Sequence, residues 1–86
     1  MAMADPKSVR LSRRAEKALE AIEARYKDHL KEAVHDLSEN PLLGKKLKGE
    51  LEGLRSYRVG RFRIVYRFTR DQLEVVFIDD RKDVYR

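Results

Sequence analysis

The sequence predicts an α+β fold: an antiparallel sheet of three to four strands packed on one face by a two-helix hairpin. Three observations point there. Apolar residues recur at helical spacing between Ala15 and Leu37. Strand-like alternation takes over between Arg55 and Ile78, broken by a glycine at Gly60 and by the polar run Thr69-Arg70-Asp71-Gln72. The chain has 86 residues, 42% of them hydrophobic, which is enough for one modest core and too little for two. Residues 1–7 are expected to form a disordered leader and residues 8–86 a single domain.

Ser8–Leu11 is short and alternating and fits an edge strand. Ser12 then fits an N-cap, with Glu16 and Glu20 early in the helix where carboxylates suit the macrodipole. Ala15, Ala18, Leu19 and Ile22 share one helical stripe, as do Tyr26, Leu30, Ala33, Val34 and Leu37. No glycine or proline interrupts this run. A single helix of that length would extend roughly 40 Å at ~1.5 Å per residue, too far for so small a domain. Two antiparallel helices with a break near Glu23–Tyr26 are therefore expected, and Tyr26 is expected in the core. Asn40–Pro41 ends the second helix, because proline cannot continue it and disfavours the α conformation at Asn40. Leu42–Gly53 reads as a lysine-rich loop.

Strands are expected over Leu54–Val59, Phe62–Phe68 and Leu73–Ile78, the first two joined by a tight turn at Gly60. In the middle strand the alternation sends Phe62, Ile64, Tyr66 and Phe68 to the core. It sends Arg61, Arg63, Val65 and Arg67 to the opposite, open face. Arginines lined up in this way suit an anion, since like charges across a sheet otherwise repel. The charge of the whole chain agrees. Residues 41–70 hold nine Lys and Arg against two Glu, while residues 1–40 are balanced at eight against eight. A basic patch so concentrated fits a polyanion or an acidic protein.

Several classes are set aside. There is no cysteine, hence neither a disulfide framework nor a thiolate metal site, which suits a reducing cytoplasm. No apolar run is long enough to span a bilayer, so no membrane partner is expected, and the first residues lack the pattern of a signal peptide. His29 and His35 lie in the second helix, away from the basic hairpin, and read as surface residues. No cofactor and no metal ligand set is expected. Asp79, Asp80 and Asp83 are either proton carriers or partners of Arg81 and Lys82 that fix the tail.

Four stretches in order carry a family resemblance. They are Asn40-Pro41, Gly44-Lys-Lys-Leu-Lys-Gly49, Tyr57-Arg-Val-Gly-Arg-Phe-Arg-Ile-Val-Tyr66 and Asp80-Arg-Lys-Asp-Val-Tyr85. From Val9 onward the chain resembles the RelE/ParE superfamily of toxins from type II toxin–antitoxin pairs. The resemblance implies a RelE-like fold and a cytoplasmic toxin silenced by a cognate antitoxin, acidic and partly disordered, in a hetero-oligomer. RelE-like members cut messenger RNA on the ribosome, whereas ParE-like members poison DNA gyrase without nuclease activity. Fold membership does not choose between them.

Matched position by position, Arg63 takes the place of the arginine that RelE-like nucleases use on the phosphate, and Arg58 that of the basic residue on the preceding strand. Arg81 falls at or near the C-terminal arginine, and Tyr85 matches a terminal tyrosine used for base stacking or proton transfer. Lys45, Lys46, Lys48, Arg55, Arg61 and Arg67 complete the expected nucleic-acid contacts. Three departures stand out. Leu54 and Ser56 replace two lysines of one RelE branch, and Asp80 replaces a histidine frequent in relatives. An obvious general base is thus missing. A message-cutting endoribonuclease, a gyrase inhibitor and a plain RNA-binding module all remain open on sequence.

Overall fold

The computed structural model describes residues 7–80. It contains five strands and two helices: β1 (Ser8–Leu11), α1 (Arg13–Ala21), α2 (Ala24–Glu39), β2 (Lys45–Lys46), β3 (Arg55–Val59), β4 (Phe62–Phe68) and β5 (Gln72–Asp80). The sheet order is β1-β5-β4-β3-β2. β5, β4, β3 and β2 are antiparallel neighbours, while β1 runs parallel to β5. The sheet is thus mixed and five-stranded, not antiparallel with three or four. The additional strand is Lys45–Lys46, inside the stretch expected as a loop. Two residues carry too little alternation to be seen in sequence.

Ser12 caps α1 as expected, its hydroxyl accepting from the Ala15 N–H at 3.0 Å. The helix stops where Ile22 and Glu23 turn extended, with ψ of 141° and 144°. Ile22 packs against the core there, so the break lets both helices lay apolar faces on the sheet. Leu30, Ala33, Val34 and Leu37 of α2 meet Ile64 and Tyr66 of β4 and Leu73, Val75 and Ile78 of β5 in one cluster, with Ala15 of α1. α2 ends at Glu39, and Pro41–Leu43 follows as a single 3₁₀ turn. Gly60 takes φ +60° as the first of two turn residues between paired Val59 and Phe62, the arrangement that favours glycine in a II′ hairpin.

Simple alternation fails once. Val65 pairs with Phe77 and Tyr66 with Val75, so Val76 is an extra residue in β5. Val65 lies on the face opposite the helices, yet it and Phe77 are both buried. On the helix side, the Tyr66 hydroxyl ties down the turn after α2. It donates to the Pro41 carbonyl at 2.6 Å and accepts from the Gly44 N–H at 2.9 Å. A side chain at Gly44 would press its Cβ to 2.5 Å from that hydroxyl and 2.6 Å from the Ser56 carbonyl oxygen. Burial raises the pKa of Tyr66 above the usual tyrosine value, outweighing the hydrogen bond from Gly44 and the charge of Arg55.

Candidate nucleic-acid interface

The register assigns each charged side chain to a face, because residues paired across a sheet point the same way. On the face opposite the helices, three rows run across the strands. The first joins Arg58, Arg63 and Asp79. The second joins Lys45, Ser56, Val65 and Phe77. The third joins Arg67, Glu74 and Arg10.

The first row is the chemically informative one. Arg58 is exposed and stands directly opposite Arg63. Two guanidinium groups in that position repel each other unless an anion or a carboxylate intervenes. Half of the repulsion is already met: Arg63 Nη2 donates to Asp79 Oδ2 at 2.6 Å. Among the described residues Arg58 has no such carboxylate. In the third row Arg67 Nε donates to Glu74 Oε1 at 2.7 Å.

One expected member of the open face, Arg61, and one expected nucleic-acid contact, Arg55, are on the helix side. Arg61 turns to the helix side, where its guanidinium lies 4.7 Å from the Tyr26 ring centre and 5.1 Å from that of Phe62. It also pairs with Asp80 at 3.2 Å. Arg61 belongs to the turn rather than to β4, so strand alternation does not govern it, and the two rings shelter its stem. Its Nε is buried and finds no hydrogen-bond partner among the described residues. Arg55 shares the face of Tyr66 and donates to the Gly44 carbonyl at 2.7 Å, holding the turn after α2 against the sheet.

The lysines divide as well. Lys45 shares the face of Ser56 and Val65, Lys46 shares that of Arg55, and Lys48 is exposed beyond the end of β2. Asp79 and Asp80 pair with Arg63 and Arg61, which fixes the end of β5 to the hairpin. Arg81, Asp83 and Tyr85 lie outside the described residues. His29 and His35 are exposed, and Tyr26 packs its edge on Phe62 with ring centres 5.2 Å apart. Among the described residues no cluster of His, Asp and Glu can hold a metal ion, and no helix is long and apolar enough to cross a membrane.

Sequence reasoning missed two arginines. Arg10 reaches the open face because β1 pairs Arg10 with Glu74; its alternation with Val9 and Leu11 was a usable signal. Arg14 sits in the first turn of α1, yet its guanidinium lies 4.5 Å from the centre of the Phe77 ring. Nothing in the sequence pointed to that contact.

The family described as ParE toxin of type II toxin–antitoxin system, parDE, matches residues 9–85. The chain belongs to the RelE/ParE superfamily of type II toxins. Its sequence is 44% identical over 57 residues to Toxin RelG of Mycobacterium tuberculosis. That match takes in 63% of this chain and 66% of the relative, just under two thirds of its length. Superposed on the RelBE2 toxin–antitoxin complex of the same organism, the toxin gives a TM-score of 0.82 at 32% identity, covering 88% of this chain and 92% of the other. The intact RelBE complex of Escherichia coli gives 0.74 at 18% identity, with 86% and 95% covered, a likeness of fold alone.

Proposed function

We propose that this toxin is an endoribonuclease that cuts messenger RNA on the ribosome, and hence acts in the cytoplasm. The observation that carries this reading is Arg58 directly opposite Arg63 on an open strand face. In such chemistry the RNA supplies its own nucleophile: the 2′-hydroxyl attacks the adjacent phosphate and the 5′-oxygen leaves. The protein must take one proton, give another and stabilise the negative charge on the phosphorane. The phosphate bridges Arg58 and Arg63, each able to meet its oxygens two at a time. Arg63 then shares or exchanges its bond to Asp79, which leaves that carboxylate beside the reacting group. Arg81 supplies a second clamp, and Tyr85 stacks on the base or donates the proton to the leaving oxygen.

The ParE family match and the engagement of Arg63 by Asp79 favour a second reading, in which the toxin binds DNA gyrase and cuts nothing. In either case its partner is an acidic, partly disordered antitoxin that covers the arginine row in a hetero-oligomer, as the likeness to RelBE complexes supports. Brief induction of the toxin, followed by primer extension on messages and plasmid supercoiling in the same cells, separates the two. Discrete cuts within codons are expected. Intact message with altered plasmid topology overturns the nuclease reading.

A further inference from the structure

The positive surface does not stop at the hairpin. β1 covers β5 only from Gln72 to Val75, so among the described residues no strand lies beside the edge of β5 beyond Val75. Ser12 docks at that boundary, its N–H donating to the Val75 carbonyl at 3.0 Å and its hydroxyl to that of Val76. The chain then enters α1, and Arg14 reaches past the uncovered edge to stack on Phe77. Phe77 is paired with Val65 and belongs to the open face. A cation held over a ring by its quadrupole forms no hydrogen bond to it, so the guanidinium N–H groups stay available to phosphate oxygens. Arg10 stands on the same face at the outer end of the third row, exposed, beside a Glu74 whose Oε1 is taken by Arg67. Between β3 and β1 lie three strand spacings, about 14 Å at ~4.8 Å each. That is wider than one phosphate group.

Building on the nuclease reading, we propose that the RNA strand crosses the sheet from Lys45 and Arg58 to β1. Arg14 and Arg10 form a second phosphate-binding site for nucleotides flanking the one held at Arg63. Two residues of the balanced N-terminal half thereby join a site that composition had confined to residues 41–70.

Counterion release makes the second site measurable. Each phosphate neutralised on single-stranded nucleic acid contributes about 0.7 to the slope of log affinity against log salt. The probe is a fluorescent single-stranded RNA blocked against cleavage by 2′-deoxy substitution, bound to the full chain across a salt series. The double variant Arg10→Gln, Arg14→Gln is expected to flatten the slope by about 1.4 relative to the parent. Arg14→Lys, which keeps the charge, should leave it unchanged. A control pair, Arg13→Gln with Lys17→Gln, removes the same net charge from exposed positions of the same helix and should also leave the slope unchanged. If the parent binds RNA and the double variant keeps its slope, or the control pair flattens it equally, the second site is overturned while the nuclease reading survives. If the parent shows no salt-dependent binding to RNA, both fall together.

Discussion

Four arginines of one hairpin do two different jobs. Arg55 and Arg61 serve the helix side, one hydrogen-bonded to the Gly44 carbonyl and the other laid over Tyr26 and Phe62. Arg58 and Arg63 face away from the helices, paired across the strands, with Asp79 alone among the described residues to offset them. The difference shows that a basic run in sequence is not a basic site. A guanidinium tucked on the helix side against a carbonyl or between two sheltering rings contributes to the fold, and one set opposite its own kind on the open face is left with capacity for an anion. Substitutions that treat the two pairs alike should therefore give unlike results.

The largest effect is expected at the core that divides the two faces. Ile64 and Val65 are both fully buried, one toward the helices and the other on the arginine side. Ile64→Asp should unfold the domain, since it strands a charge among Leu, Val and Ile, a loss of more than about 4 kcal/mol. Val65→Asp should cost distinctly less, because Arg63 and Arg67 flank it on the same strand face and can supply counter-charge. Chemical denaturation monitored by circular dichroism measures both. Equal losses would mean that the arginines do not reach the second row.

Next comes the direct contrast between the two pairs of arginines. Arg63→Ala should reduce message cleavage by about 10²–10³, the usual loss of a preorganised charge donor. It should change stability by at most about 1 kcal/mol, because its ion pair with Asp79 is partly open to solvent. Arg63→Lys should recover only part of the activity, having lost the two-pronged geometry. Arg61→Ala should do the reverse. Activity stays, while the melting temperature drops by several degrees as stacking on two rings, each worth ~0.5–1 kcal/mol, disappears. A thermal melt beside a cleavage assay on the same preparations is the check. Loss of activity in Arg61→Ala at unchanged stability would return Arg61 to the site.

How far the sequence carried this contrast depends on the position. Phe62, Arg63, Ile64 and Tyr66 lie inside a regular strand, and alternation assigned their faces correctly. Ser12 and Asn40–Pro41 marked helix ends through local chemistry, which is written in the residues themselves. Arg61 was misassigned because a turn residue follows its neighbours and not the strand period. Arg55 was given no face by alternation; it donates to the Gly44 carbonyl, a partner named only by the folded register. The bulge at Val76 and the second face of Phe77 were hidden for a related reason, since an extra residue in one strand shows only against its partner. Arg14 depends on where β1 stops beside β5, a fact of tertiary pairing alone.

A smaller effect is expected where the helix-side network closes. Gly44→Ala should cost about 1–3 kcal/mol by overpacking against Tyr66 and the Ser56 carbonyl, lowering the melting temperature by ~4–8 °C per kcal/mol. Arg55 donates to this same glycine, so the loss should appear in stability while RNA affinity stays at the parent value. A matching loss of RNA affinity would show that the Gly44 turn helps to set the open face.

The last effect tests that network through pH. Tyr66→Phe removes one hydroxyl and leaves the Gly44 N–H and the Pro41 carbonyl without it, a loss of about 1–3 kcal/mol at neutral pH. In the parent protein, burial sets the folded pKa of Tyr66 above the unfolded value of about 10. Between those two values the folded state holds a proton that the unfolded state has released, so stability falls as pH rises. The contribution of the hydroxyl is complete below pH ~10 and is lost as pH climbs through the folded pKa. Lysines and other tyrosines also titrate in that range, which is why the useful quantity is the difference between parent and variant. That difference should be flat from pH 6 to 9 and shrink steadily above about 10. A difference that stays constant to the highest workable pH would mean that Tyr66 ionises in the folded protein as it does in the open chain, and that burial does not hold its proton.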